Sequence, residues 1–210
     1  MNYLSIFLIS FTIALTGALA PGPLLTMVIA KSLKYGKKTG PLVIAGHAIL
    51  EVLMVIVLVM GLGKIINNPV VIRVITVVGA LILLYFGCSI LRSLPHVSLS
   101  VPVESFGSST TLILQGITMS IANPYWSIWW VTVGLGLLLS ARGLGIRGLA
   151  CFLTGHILAD LAWYSFISYS IGKSKKFISV NTYKKILGVC AVVIICFGFY
   201  FGITGFIKKL

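Results

Sequence analysis

Two short segments of this chain each set a histidine and a carboxylate four residues apart inside an apolar stretch. They are Gly46-His47-Ala48-Ile49-Leu50-Glu51 and Gly155-His156-Ile157-Leu158-Ala159-Asp160. Side chains four apart share one face of a helix. Each imidazole can therefore hydrogen-bond its carboxyl neighbour and share a proton with it. A carboxylate at the centre of a membrane span costs about 2.5–3.5 kcal/mol on insertion scales. The chain has only three acidic residues, and two of them, Glu51 and Asp160, hold such positions. Ionisable groups kept inside a membrane at that cost are functional by default, so Glu51, Asp160, His47 and His156 are candidates for binding and releasing protons. The bland alternative is a polar clasp that joins helices. A third reading makes His47, Glu51, His156 and Asp160 one divalent-cation site, since imidazole and carboxylate at i and i+4 can chelate from one helix. The pattern is less specific than the HExxH of metalloproteases, which is absent. The primary reading therefore carries no metal and no cofactor.

Two backbone breaks are the second chemical feature. In Ala20-Pro21-Gly22-Pro23 each proline lacks an N–H and clashes with the preceding turn, while Gly22 lets the backbone leave helical geometry. A fresh half-helix is expected near Leu24, its unpaired N–H groups and partial positive charge suited to a carboxylate. In Ala122-Asn123-Pro124, Pro124 is expected to free the carbonyl of Ser120 and Asn123 to cap the next half-helix. A packing kink explains one such proline. Two breaks at corresponding places favour a substrate site built from Pro21, Gly22, Pro23, Asn123 and Pro124 with Glu51 and Asp160.

The elements that carry these groups are membrane helices. Of the 210 residues 59% are hydrophobic and only 9% charged, against roughly 25% charged in a soluble domain. Apolar runs long enough to span a bilayer are expected near 4–32, 41–63, 70–92, 109–139, 148–171 and 185–207, as helices because only those satisfy the backbone in hydrocarbon. Residues 1–20 resemble a signal peptide but lack basic residues at the start, and Pro21 follows the would-be cleavage site, so they read as a retained first helix. The net charge of +13 comes from Lys and Arg gathered between apolar runs, which suits anionic lipid and not nucleic acid. Lys and Arg are denser on the connections after the first, third and fifth spans, which puts both termini outside the cytoplasm. Cys88, Cys151, Cys190 and Cys196 form no CxxC pair and read as packing residues. Trp126, Trp129 and Trp130 read as a lipid-interface belt.

The chain repeats itself. The two Gly-His-x-x-x-acid segments align without a gap over Gly36 with Gly145 and Lys38 with Arg147, and Tyr85-Phe86-Gly87 recurs as Tyr200-Phe201-Gly202. Each half reads as a broken helix, a Gly-His helix and a Tyr-Phe-Gly helix. Three spans end on the opposite side from their start, so the second copy must be inserted upside down. The expected fold is all-α: a single transmembrane domain over 1–210, with inverted half-repeats 1–92 and 109–210 joined by a polar loop 93–108 and discontinuous first and fourth helices. Such repeats place a binding site near the bilayer midplane.

Thr16-Gly17-Ala18-Leu19-Ala20-Pro21-Gly22-Pro23, Gly36-Lys37-Lys38-Thr39-Gly40, Gly79-Ala80-Leu81-Ile82-Leu83-Leu84-Tyr85-Phe86-Gly87 and Ala122-Asn123-Pro124 resemble the LysE/RhtB family of amino acid exporters over essentially the whole chain. The resemblance implies a multi-pass inner-membrane exporter of amino acids or related metabolites, driven by the proton gradient, with Pro21, Gly22, Pro23, Asn123 and Pro124 in the substrate pathway. The partners expected are a small-molecule substrate and membrane lipid, with assembly into identical copies compatible. The paired Gly-His-x-x-x-acid motifs are not a hallmark of that family, and this departure keeps a divalent-cation exporter open as the alternative. No Walker loop and no Ser-His-Asp spacing is present, so the chain is expected not to be an enzyme.

Overall fold

A computed structural model describes residues 2–19, 22–61, 68–96, 109–174 and 179–207. Every regular element among them is helical. Helix α1, Tyr3–Leu19, opens on Asn2, whose side chain accepts from the Ser5 amide at 2.8 Å. Helix α2, Pro23–Tyr35, starts one residue before the expected Leu24. Pro23 sits at its first position, where the missing N–H costs nothing and the fixed φ is already helical. Gly22 precedes it in extended geometry with no side-chain cap. Ala20 and Pro21 lie outside the described residues.

Helix α2 ends at Gly36, whose φ of 74° favours glycine. A 3-10 turn, Gly36–Lys38, leads into α3, Thr39–Val59. The turn is held against the fifth span, where the Ser168 hydroxyl donates to the Lys37 carbonyl at 3.0 Å. Helix α4, Pro69–Ser93, is capped by Asn68, whose side chain accepts from the Val70 amide at 2.9 Å. Of the polar loop expected over 93–108, Ser93 belongs to α4, Leu94–His96 is a 3-10 turn, and residues 97–108 lie outside the described set.

The fourth expected span is interrupted twice. Helix α5, Ser109–Ile121, stops before Ala122-Asn123 and α6 runs Pro124–Trp129. A π-helical turn, Trp130–Gly134, then passes into α7, Leu135–Arg142. The Ser120 carbonyl was expected to be freed by Pro124. Instead it accepts from the Asn123 amide at 3.2 Å, because the chain tightens at the break. Helix α8, Gly145–Ser174, and helix α9, Val180–Ile207, complete the fold.

Four stretches among the described residues are long and apolar enough to cross a membrane: Pro23–Val59, Pro69–Arg92, Gly145–Ser174 and Val180–Ile203. Tyr3–Leu19 is a shorter apolar helix. The fold is thus an all-helical membrane protein. Leu53, Ile56, Leu81, Leu139 and Ile203 are among many exposed apolar side chains, as expected of a chain whose solvent is hydrocarbon.

Without a hydrophobic drive between helices in lipid, close backbone approach and hydrogen bonds hold them together. Helix α4 packs along α9, α1 along α8, and α3 along both α5 and α8. At Gly46 a side chain would strike the Ile113 carbonyl of α5, and at Gly155 it would strike the Phe7 carbonyl of α1. One turn away, Gly116 of α5 lies against the Val43 carbonyl, and Ser10 of α1 donates to the Phe152 carbonyl at 2.7 Å. Thus α3 meets α5 through the same positions at which α8 meets α1. A buried cluster containing Ala18, Leu24, Met119 and Ala122 joins residues flanking both breaks.

Candidate functional site

The Gly-His-x-x-x-acid motifs fall in the middle of α3 and α8, which pack side by side. A carbonyl of the next helix lies where a side chain at Gly46 or Gly155 would stand, so each glycine lets its helix be approached closely just before the histidine. Helical spacing then turns His47 and Glu51 on α3, and His156 and Asp160 on α8, toward one another. All four are buried, Glu51 completely.

Their ligating atoms converge. His47 Nε2 lies 3.1 Å from Glu51 Oε1 and 3.6 Å from Asp160 Oδ2. His156 Nε2 lies 2.7 Å from Glu51 Oε1 and 3.6 Å from Asp160 Oδ2. Each imidazole thus touches the carboxylate of its own helix and that of the other. The shortest contact, His156 to Glu51, runs between the helices. Helix periodicity implied the pairing within each motif; only packing brings the two motifs together.

The Ser120 hydroxyl anchors one ring of the tetrad. It lies 2.7 Å from the Gly116 carbonyl and 2.6 Å from His47 Nδ1. Its single proton can go to either. Donation to the carbonyl leaves the hydrogen on Nδ1 and the lone pair of a neutral ring's Nε2 facing the carboxylates; donation to Nδ1 turns Nε2–H toward them. His156 has no such anchor: among the described residues its Nδ1 has no hydrogen-bond partner. In the register that matches Phe7 to Ile113 and Ser10 to Gly116, Ala14 of α1 stands where Ser120 stands in α5.

Ser120 was not found from sequence. A serine in an apolar helix 73 residues from its partner carries no spacing signal; its place in the turn before the Asn123-Pro124 break was the one available clue. The tryptophans correct the sequence reading. Trp130 is fully buried, with ring centroids 5.3 Å from His156 and 5.9 Å from Phe152. Trp129 lies 4.7 Å from the His156 ring, and Trp126 lies 6.4 Å from that of His47. They wall the tetrad and do not form a belt facing lipid. The π-helical turn beginning at Trp130 changes the facing of the segment, and simple helical spacing from Trp126 did not anticipate it. The Nε1 atoms of Trp126 and Trp130 are buried without a partner among the described residues.

The breaks adjoin this centre. Asn123 and Pro124 follow Ser120 by about one turn. Gly17, ahead of the first break, lies beside Trp129, whose ring packs at a tilt against His156. Leu24, the second residue of α2, lies in the apolar cluster that also holds Ala122.

The sequence as a whole matches the model of a family of membrane carriers, the LysE type translocators, over residues 15–205. The chain belongs to that family. Among curated proteins it is similar to "Putative amino acid efflux protein YcgF" of Bacillus subtilis (strain 168), with 22% identity over 208 residues, covering 99% of each chain. No solved structure matches. The translocator is therefore a multi-pass membrane transport protein and not an enzyme.

Proposed function

We propose that this translocator exports amino acids or related small metabolites across the cytoplasmic membrane in exchange for protons. The observation that carries the reading is the tetrad: four ionisable side chains, buried in a membrane protein, with each histidine within 3.6 Å of both carboxylates across two helices. Such groups are expensive in a bilayer and mark ion and substrate pathways. Glu51 or Asp160 alternates between a proton and the substrate ammonium, with His47 and His156 relaying the proton. The N-terminus of α2 at Gly22-Pro23, together with Pro21 and the Asn123-Pro124 break, holds the substrate carboxylate. The relative's name, which mentions amino acid efflux, supports the substrate class.

The two halves, 1–92 and 109–210, work as inverted repeats that rock about this centre, with both termini outside the cytoplasm. Support comes from the matched approaches of Gly46 to Ile113 and Gly155 to Phe7. Flux in proteoliposomes tests the mechanism. A pH gradient should drive amino acid export by the native protein, and Glu51→Gln and Asp160→Asn should each uncouple or abolish it. If both variants keep full pH-driven export, the tetrad is not the coupling site.

A further inference from the structure

We infer that His47 Nε2, Glu51 and Asp160, closed by His156 Nε2, form a binding site for a divalent first-row metal ion of the zinc type, held between α3 and α8. The inference uses the side chains of the export reading but requires no amino acid transport.

Four observations lead there. First, the ligand atoms of His47, Glu51 and Asp160 all lie within 4.8 Å of one another. The four His–carboxylate distances are 3.1, 3.6, 2.7 and 3.6 Å. Ligands at zinc bond lengths in a tetrahedral shell stand about 3.3 Å apart, and these distances straddle that value. Second, Glu51 Oε1 lies 3.1 and 2.7 Å from the two imidazole nitrogens, while Oε2 of the same carboxylate has no hydrogen-bond partner among the described residues. A wholly buried carboxylate left so is costly.

Third, the Ser120 hydroxyl lies 2.6 Å from His47 Nδ1 and 2.7 Å from the Gly116 carbonyl, so it can accept from Nδ1 while donating to that carbonyl, the tautomer that leaves the Nε2 lone pair toward the carboxylates. Metal-bound histidines are oriented in this way, their other nitrogen donating to an oxygen. Fourth, the charges balance. Two carboxylates and two neutral imidazoles carry a charge of −2, which a divalent ion cancels in a site walled by Trp129, Trp130 and Phe152. Those rings and the Ser120 hydroxyl bring no charge. The mixed nitrogen and oxygen donors suit zinc, cobalt or nickel. They do not suit calcium or magnesium, which take six or more oxygens or an octahedral shell kept largely by water.

The two histidines are held differently: the Ser120 hydroxyl bonds Nδ1 of His47, whereas His156 is held by the surrounding rings and its Nδ1 has no hydrogen-bond partner among the described residues. The test is equilibrium binding to the full-length, untagged protein in lipid nanodiscs, with Co2+ as probe and Zn2+ as competitor. We expect one Co2+ per chain, the intense visible absorption of a four-coordinate ion, and displacement by Zn2+ but not by Mg2+. Ser120→Ala, which removes only an outer hydroxyl, should weaken binding by on the order of 10–100-fold. His47→Ala should abolish it in protein that remains monodisperse. Native protein that binds no stoichiometric Co2+, or binds it with an octahedral spectrum, overturns the inference. So does His47→Ala binding as tightly as native. Because no flux is measured, failure here leaves the export reading standing, and loss of amino acid flux leaves this site standing.

Discussion

Gly46 offers the sharpest test of how packing builds the site, because its replacement sets a helix-propensity gain against a steric loss. Gly46→Ala improves helix propensity by about 1 kcal/mol. The added methyl would meet the Ile113 carbonyl, with the Ile117 amide beside it at 3.1 Å. These are backbone atoms of α5 and cannot rotate away. Carbon and its neighbours rest near 3.5–4.0 Å, so α5 must retreat by on the order of 1 Å. Overpacking of this kind costs about 1–3 kcal/mol, which leaves a net change between about zero and 2 kcal/mol destabilising. Gly136→Ala in α7 is the control, since nothing lies within 4 Å of the new methyl. It should stabilise by about 1 kcal/mol. The gap between the two variants is then the steric cost alone, about 1–3 kcal/mol. Reversible unfolding in mixed micelles measures it. The same retreat pulls Ser120 from His47, whose bond is 2.6 Å, so Gly46→Ala should also lose transport while Gly136→Ala keeps it. If the two variants shift stability upward together, the close approach of α3 and α5 is wrong.

Other outcomes follow from single contacts. Asn68→Ala removes the cap on the Val70 amide and should cost about 1 kcal/mol, read as a lower unfolding midpoint with transport unchanged. Ser10→Ala deletes the 2.7 Å bond from α1 to the Phe152 carbonyl; bonds between membrane helices average about 0.6 kcal/mol, so a small loss is expected in the same unfolding assay. Trp130→Ala empties a wholly buried site against His156 and Phe152 and should cost about 3–5 kcal/mol, with Trp130→Phe recovering most of it.

Much of the fold was legible because lipid imposes simple rules on sequence. The apolar runs foretold helices, and the half-helix expected after the first break begins at Pro23, within a residue of the expected Leu24. The i and i+4 spacing foretold that His47 would face Glu51 and His156 would face Asp160. The cation reading had grouped the four tetrad residues across the two motifs, but most of what contact between distant segments fixes escaped. Ser120 could not be linked to His47, nor Trp130 to His156, since neither pair has a spacing that recurs. The π-helical turn at Trp130–Gly134 was missed for another reason: it changes the phase of a helix without any proline or glycine signal at its start.

The cross-connection within the tetrad bears on how such a centre can move. If each histidine contacted only the acid of its own helix, α3 and α8 could separate without breaking an ionic contact. Instead His156 lies closer to Glu51, at 2.7 Å, than to Asp160 on its own helix, at 3.6 Å. His47 likewise reaches Asp160 on the opposite helix at 3.6 Å. Parting the helices therefore leaves two carboxylates facing hydrocarbon with fewer partners, a state that costs several kcal/mol unless something else compensates the charge. Whatever sits between Nε2 and the carboxylate oxygens decides that balance. A proton or a metal ion in the centre ties α3 to α8, and exchange for a substrate ammonium moves the charge compensation from the protein to the cargo. On the proposed reading, occupancy and helix movement are one equilibrium, because the carboxylates cannot be exposed to lipid alone.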